Sequence, residues 1–155
     1  MRSFERRIAL TVVGCELLFA LAPGCGSSPE KAAAETSSEA QGLKQLGVMY
    51  KIVTERLKRP PKDIGELRSA ESQVPGGFSG IGESNVAIYF GVALPEPDAE
   101  SAAGASETIL AYDRMAPRQG GYALFLDGSV RRLSAEEFNA AKKAGTTAWV
   151  APAGS

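Results

Sequence analysis

The stretch YALFLDGSVRRL, residues 122–133, decides the fold. Its Asp127-Gly128 pair lies between two short apolar runs, which is the pattern of a β-hairpin with a two-residue type I′ turn. In that register Phe125 pairs with Val130 across the turn. The stretch therefore predicts two antiparallel strands that meet at Asp127-Gly128.

Two further strands are predicted before this hairpin. In NVAIYFGVAL, residues 85–94, large apolar side chains alternate with small or polar ones, so one face of the strand is apolar. TILAY, residues 108–112, is a second apolar run. We expect loops at 95–107, which is acidic, and at 113–121. Consecutive strands joined by loops favour an antiparallel sheet.

A long amphipathic helix is predicted ahead of the sheet. It begins near Ser38, because Ser38 and Gln41 form a capping-box pattern, and it ends before Pro60-Pro61. Apolar residues recur at steps of three and four and trace one helical stripe. The stripe comprises Leu43, Leu46, Tyr50, Val53 and Leu57, widened by Val48, Met49 and Ile52.

Two shorter helices complete the predicted elements. Asp63 and Glu66 predict a cap for one. Ser134 and Glu137 form a capping box for a second, which carries Phe138 and ends near Gly145. The sequence thus predicts an α+β fold: an N-terminal amphipathic helix on one face of a small antiparallel sheet, then a short C-terminal helix.

The first residues have the pattern of a secretory signal peptide. Arg2, Arg6 and Arg7 precede the mostly apolar segment Ile8–Pro23. That segment is shorter than the ~20 residues that span a bilayer as a helix. Glu16 within it disfavours permanent spanning further.

The exit of this segment, Leu21–Cys25, resembles a bacterial lipobox, although Ala22-Pro23 stands where that family more often has Leu followed by Ala or Ser. The resemblance implies cleavage between Gly24 and Cys25, a diacylglyceryl group on the Cys25 thiol and acylation of the new amino terminus, for example by palmitate. We therefore expect a lipoprotein signal peptide at 1–24. A flexible tether at 25–37, one α+β domain at 38–145 and a frayed tail at 146–155 follow.

Composition narrows the chemistry that is available. The 155 residues carry 17 Lys and Arg against 18 Asp and Glu, which argues against nucleic acid as a partner. The absence of histidine excludes Ser-His-Asp and Cys-His catalysis and His-containing zinc sites. Cys15 leaves with the signal peptide and Cys25 is lipidated, so no disulfide is expected. We expect no cofactor, no metal and no enzymatic activity.

Several charged residues admit two interpretations. Asp127 fits turn geometry, but together with Glu107 and Asp113 it would form a carboxylate set for a hard cation. No EF-hand spacing supports such a site, so solvated loops are favoured.

Arg131-Arg132 fits either a charged strand edge that discourages aggregation or contact with anionic lipid headgroups. The apolar helix stripe packs either on the chain's own sheet or on a partner helix.

Residues 109–145, which contain LFLDGSV, resemble the C-terminal segment of a large bacterial group of prepilin-type processing-associated proteins. Its signature is His-x9-Asp-Gly, matched here by Asp127-Gly128. GLKQLGVMY, residues 42–50, also looks like that group's amphipathic helix. The resemblance implies a pilin-like fold and no established activity. The signature His falls at Pro117, and Ser129 stands where a second His is common.

These observations predict an exported envelope protein anchored in a membrane through lipid on Cys25. We expect a non-enzymatic structural or partner-binding module, with another envelope protein as its partner. A pseudopilin-like component of a secretion or pilus-type assembly is the alternative. An enzyme that relies on carboxylates alone is a weaker one.

Overall fold

A long helix and a mixed sheet form the fold in the computed structural model, which describes residues 37–74, 76–78, 82, 85–95 and 100–151. The expected signal peptide with Gly24 and Cys25, most of the tether, and residues 152–155 lie outside them. The predicted α+β class is confirmed. The elements are α1 (Ser38–Leu57), α2 (Ile64–Arg68), β1 (Val86–Ile88), a 3-10 helix (Glu100–Glu107), β2 (Thr108–Asp113), α3 (Ala116–Gln119), β3 (Gly121–Phe125), β4 (Val130–Leu133), α4 (Ala135–Ala140), β5 (Lys142–Lys143) and β6 (Trp149–Val150).

Helix α1 begins at Ser38, as predicted, but the residue that caps it differs from the prediction. The Ser37 hydroxyl, rather than that of Ser38, accepts a hydrogen bond from the Ala40 N–H at 3.1 Å and caps the helix. The predicted stripe is buried from Leu43 to Val53. Val48 does not belong to it, because 46% of its surface is exposed. The helix ends where Lys58 adopts a left-handed conformation, with φ at 56°.

Strand β2 is the centre of the sheet, whose order is β4-β3-β2-β1-β6. It pairs antiparallel with β1 and β3 and, at its first two residues, parallel with β5. A bulge between Ile109 and Ala111 interrupts its register with β3. As a result Leu110 and Ala111 both belong to the core under α1, although neighbouring residues of a regular strand point to opposite faces.

The predicted hairpin is present, but its register and turn differ from the prediction. Leu124, not Phe125, pairs with Val130, and the Phe125 N–H donates to the Ser129 carbonyl at 2.9 Å. Three residues, 126–128, therefore form the loop. The Gly128 N–H closes a turn on the Phe125 carbonyl at 3.0 Å, and Gly128 alone has a positive φ, 80°. These features define a type I turn followed by a left-handed glycine.

The sheet buries apolar side chains on both faces, whereas the sequence predicted a helix on one. Leu43 and Leu46 of α1 pack over Leu124 on the first face. The second face has its own cluster under α3 and α4, formed by Ile109, Ala116, Ala123, Phe125 and Phe138. All five residues of β3 are consequently buried.

Four predictions about the bounds of elements differ from the structure. The strand expected over 85–94 ends at Ile88, and the expected loop over 113–121 contains α3. Helix α4 ends at Ala140, well before Gly145, although its capping box at Ser134 is confirmed. The segment expected to be a frayed tail supplies β6, in which Trp149 pairs with Ile88.

Candidate functional site

The Asp127-Gly128 turn, which the sequence singled out, lies at one end of the sheet, termed here the hairpin end. Asp127 Oδ1 accepts hydrogen bonds from the Ser129 N–H at 2.9 Å and the Ser129 hydroxyl at 2.6 Å. This carboxylate therefore stabilises its own turn. Gly128 supplies the positive φ that the loop requires.

An open cleft of about 430 Å³ separates this turn from the first turns of α1. Ala40 and Lys44 line it on the helix side, and residues 127–131 line it on the hairpin side. Its charged groups are the Lys44 ammonium, the Arg131 guanidinium and the Asp127 carboxylate. The cleft is thus open and lined by both polar and apolar groups, with two cations and one carboxylate.

Arg131 is held in place by two contacts at the hairpin end. Its guanidinium carbon lies 3.7 Å from the centroid of the Phe125 ring, which is a favourable cation–π arrangement. It also donates to the Ser106 carbonyl in the 3-10 helix. Arg131 therefore ties the hairpin to the segment before β2, and Arg132, on the other face of β4, is exposed.

The three carboxylates that the sequence grouped do not form one site. Glu107 directly precedes β2 and Asp113 ends it, and the strand between Thr108 and Asp113 is about 17 Å long at the ordinary rise of a strand. Asp113 Oδ1 accepts a hydrogen bond from the Met115 N–H at 2.8 Å. Within the described ranges, no three carboxylate or thiol side chains lie close enough to hold a metal ion.

The two signature positions of the resemblance are also separated. Pro117 lies in α3, whose end leads into the start of β3, whereas Asp127 follows the end of that strand. The Pro117 carbonyl accepts a hydrogen bond from Asn139 Nδ2 at 3.2 Å and links α3 to α4. Pro117 and Asp127 therefore lie at opposite ends of β3.

A buried tyrosine, which the sequence predicted only as part of the apolar stripe, joins α1 to the segment after β1. The Tyr50 hydroxyl donates to the Val92 carbonyl at 2.9 Å and accepts from the Val92 N–H at 3.1 Å. Its burial raises the pKa of Tyr50 to about 12. Nearby, the Gly91 N–H donates to the Pro61 carbonyl at 2.8 Å. These bonds replace the strand pairing that ends at Ile88.

An ion pair fixes the connection between α1 and α2. Arg59 Nη1 and Nη2 donate to the two Glu66 oxygens at 3.0 and 2.7 Å, and the Lys62 N–H donates to Glu66 Oε2 at 2.9 Å. These donors, Arg59 foremost, lower the pKa of Glu66 to about 2. The predicted Asp63 cap of α2 is confirmed, with Asp63 Oδ1 accepting from the Glu66 N–H at 2.9 Å.

An aromatic cluster lies on the second face of the sheet. The ring centroids of Tyr112 and Phe138 are 4.7 Å apart, and those of Tyr89 and Tyr112 are 6.0 Å apart. Burial, with Tyr112 as a neighbour, raises the pKa of Tyr89 to about 12. Lys143 Nζ lies 4.5 Å from the Phe138 centroid and donates to the Ala141 carbonyl at 2.7 Å. Burial lowers the pKa of this ammonium. The ammonium also donates hydrogen bonds to backbone carbonyls at the end of α4, which have no partner within the helix.

These perturbed groups hold elements of the fold together, and none of them lines the cleft at the hairpin end. The contacts of Tyr50 and Tyr89 are long-range, and short sequence patterns do not contain them. The partners of Glu66 and Lys143 lie within seven residues along the chain, so for these two groups the signal was local and was missed. No helix in the described ranges is long and apolar enough to cross a membrane. The chain matches no protein-family model, no curated protein and no solved structure.

Proposed function

We propose that this chain is an exported envelope lipoprotein, in which lipid on Cys25 anchors a small α+β domain to a membrane. The observation that carries the proposal is the spacing between the lipobox and the fold. The cap of α1 at Ser37 follows Cys25 by twelve residues. Acylation at Cys25 therefore leaves every described element of the fold intact.

The domain acts in this proposal as a non-enzymatic structural or partner-binding module, with another envelope protein as its partner. Three side chains with perturbed pKa values support this role, because contacts within the fold account for each shift. Glu66 is paired with Arg59, Tyr50 bonds the backbone of Val92, and Lys143 bonds carbonyls of α4 and the residue after it. Catalytic acids and bases, by contrast, are tuned toward a substrate in a cleft.

The test is the intact mass of the protein purified from its own membranes. We expect the mass of residues 25–155 plus acyl chains. The Cys25→Ala variant should lose the acyl mass, whereas the matched Cys15→Ala variant should keep it, because Cys15 leaves with the signal peptide. An unmodified mass for the natural protein would refute the lipoprotein proposal.

A pseudopilin-like role in a secretion or pilus-type assembly is the second candidate. The packing of a long helix, α1, on an antiparallel sheet favours it. That role requires an apolar N-terminal segment that is retained or processed in the manner of a pilin. The same mass measurement separates the candidates, since a retained segment adds residues before Cys25 and carries no acyl group on it.

A further inference from the structure

Two separate segments of the chain bond the same side of β2. At Ile109 this strand has β3 on one side and β5 on the other, which is the side of β1. The Ile109 carbonyl accepts a hydrogen bond from the Ala144 N–H at 2.9 Å, and the neighbouring Leu110 carbonyl accepts one from the Tyr89 N–H at 2.9 Å. Ala144 directly follows β5 and Tyr89 directly follows β1. Strand β5 therefore occupies the place that β1 would take if it continued.

The residues after β1 keep the side-chain pattern of a strand. Val86 and Ile88 belong to the core under α1, and Phe90 and Val92, at the next two alternate positions, pack against the same core. Large apolar side chains at every second residue are typical of a strand with one buried face. An extension of β1 through residue 92 would therefore keep these side chains on the buried face.

A turn at Gly91 keeps this segment off the sheet. Gly91 has a φ of 73°, a left-handed conformation that strains an L side chain. Its N–H donates to the Pro61 carbonyl at 2.8 Å, and the Tyr50 hydroxyl bonds both backbone groups of Val92. In an extended strand the N–H of residue 91 would instead point toward β2, as that of Tyr89 does, because alternate N–H groups point to the same side.

Strand β5 is attached to β2 by a short and accessible segment. It is two residues long, Lys142 is exposed and Lys143 is half-buried. The Lys143 ammonium bonds carbonyls at the end of α4 and not β2. Next along the chain, Gly145 lies so close to Tyr89 that an added Cβ would be 3.2 Å from a carbon of the ring. Few contacts therefore oppose the local release of β5.

We propose that residues 90–91 and residues 142–144 exchange on β2. In the exchanged state residue 91 is extended, its N–H donates to the Ile109 carbonyl, and Ala144 leaves with β5. Residues 142–148 are then free of the sheet, while β6 keeps its pairing with β1. The bonds of Gly91 to Pro61 and of Tyr50 to Val92 favour the observed state, so the exchanged state is the less populated one. The exchange concerns the domain alone and does not depend on a lipid anchor.

Gly91→Ala shifts the balance toward the exchanged state. Alanine strains the left-handed turn enough to change the ratio of the two states by about 5- to 30-fold, and no atom lies within 4 Å of the added Cβ. The matched control is Gly128→Ala, because Gly128 has a φ of 80° and an equally open position but lies in the β3–β4 loop. Thermal melting of both variants checks that they are folded and comparably stable.

The measurement is the hydrogen exchange of individual amides in the purified protein, followed by NMR and expressed as protection factors. The Ala144 amide should be about 5 to 30 times less protected in Gly91→Ala than in Gly128→Ala. The Val92 amide should also lose protection, because its N–H points away from β2 in the exchanged state. The amide of residue 91 should be as protected as in Gly128→Ala, since it is bonded to Pro61 in one state and to Ile109 in the other.

A second variant, Gly145→Ala, perturbs the other segment. Its Cβ would lie 3.2 Å from the Tyr89 ring and weaken the attachment of β5. This variant should lower the protection of the Ala144 amide and leave that of residue 91 intact. Equal protection of Ala144 in Gly91→Ala and Gly128→Ala would show that the two segments do not compete. Loss of protection at residue 91 together with Ala144, in Gly91→Ala or Gly145→Ala, would show that both segments fray, and either result would overturn the exchange.

Discussion

Replacing Tyr50 by phenylalanine removes one oxygen that makes two hydrogen bonds. The side chain is 1% exposed, and its hydroxyl bonds both the N–H and the carbonyl of Val92. A hydrogen bond contributes about 1 kcal/mol net to stability, and Val92 is half-buried, so water compensates only in part for the loss. We expect Tyr50→Phe to lower the free energy of unfolding by about 2 kcal/mol.

Thermal and chemical unfolding measure this difference directly. A loss of about 2 kcal/mol corresponds to a fall of about 8 °C in Tm for a domain of this size. The matched control is Tyr122→Phe, since Tyr122 is 9% exposed in the same core and its hydroxyl has no hydrogen-bond partner among the described residues. We expect that control to change stability by less than about 0.5 kcal/mol.

Amide hydrogen exchange locates the effect. In Tyr50→Phe the Val92 amide should lose protection, whereas the Tyr89 amide, which bonds the Leu110 carbonyl at 2.9 Å, should keep it. If Tyr50→Phe is no more destabilising than Tyr122→Phe, or if Val92 keeps its protection, the hydroxyl does not hold this segment and the reasoning is wrong.

Three further changes test other parts of the structure. Gly128→Ala should lower the free energy of unfolding by about 1 kcal/mol, measured by chemical denaturation, because Gly128 has a φ of 80° that alanine adopts only with strain. Gly104→Ala is the control, since no atom lies within 4 Å of the added Cβ, and it should lower that free energy by less than about half as much. Glu66 has a pKa of about 2 beside Arg59, so the stability that its carboxylate contributes is present above pH 5 and is lost as the pH falls toward 2. The free energies of unfolding of the natural protein and of Glu66→Gln, measured against pH, should therefore converge over that interval. Parallel curves would contradict the ion-pair assignment. Phe138→Ala should lower the free energy of unfolding by 3 to 5 kcal/mol, roughly, because Phe138 fills the second core; a loss below about 1 kcal/mol in thermal unfolding would show that this core contributes little.

Local patterns predicted most of the helices correctly. The capping residues at Asp63 and Ser134 lie three positions from their partners, so a short stretch of sequence contains the whole interaction. The buried stripe on α1 was predictable because the three- and four-residue spacing of its apolar residues is visible in the sequence. Val48 was wrong because 3.6 residues per turn place it on nearly the opposite side of the helix from the stripe, where 46% of its surface is exposed.

The sheet was harder to predict because its details depend on contacts that are distant along the chain. The three residues of β1 could not be distinguished from a longer strand, since Tyr50, 42 positions away from Val92, takes over the backbone bonding. The tail became β6 because Ile88 offers an open edge to Trp149. The second core was not predicted. Its signal was the uninterrupted apolar run of β3, which is typical of a strand that is buried on both faces.

The candidate site shows how one short motif can serve the fold alone. An Asp-Gly pair predicts a hairpin whether the glycine completes a type I′ turn or follows a type I turn, so the motif identified the turn but not its register. The Asp127 side chain bonds Ser129 inside that turn. Pro117, the other signature position, lies beyond the opposite end of β3, about 17 Å away for five strand residues. Side chains at these two positions therefore do not share a site in this fold, and what distinguishes the hairpin end is instead its position beside the start of α1.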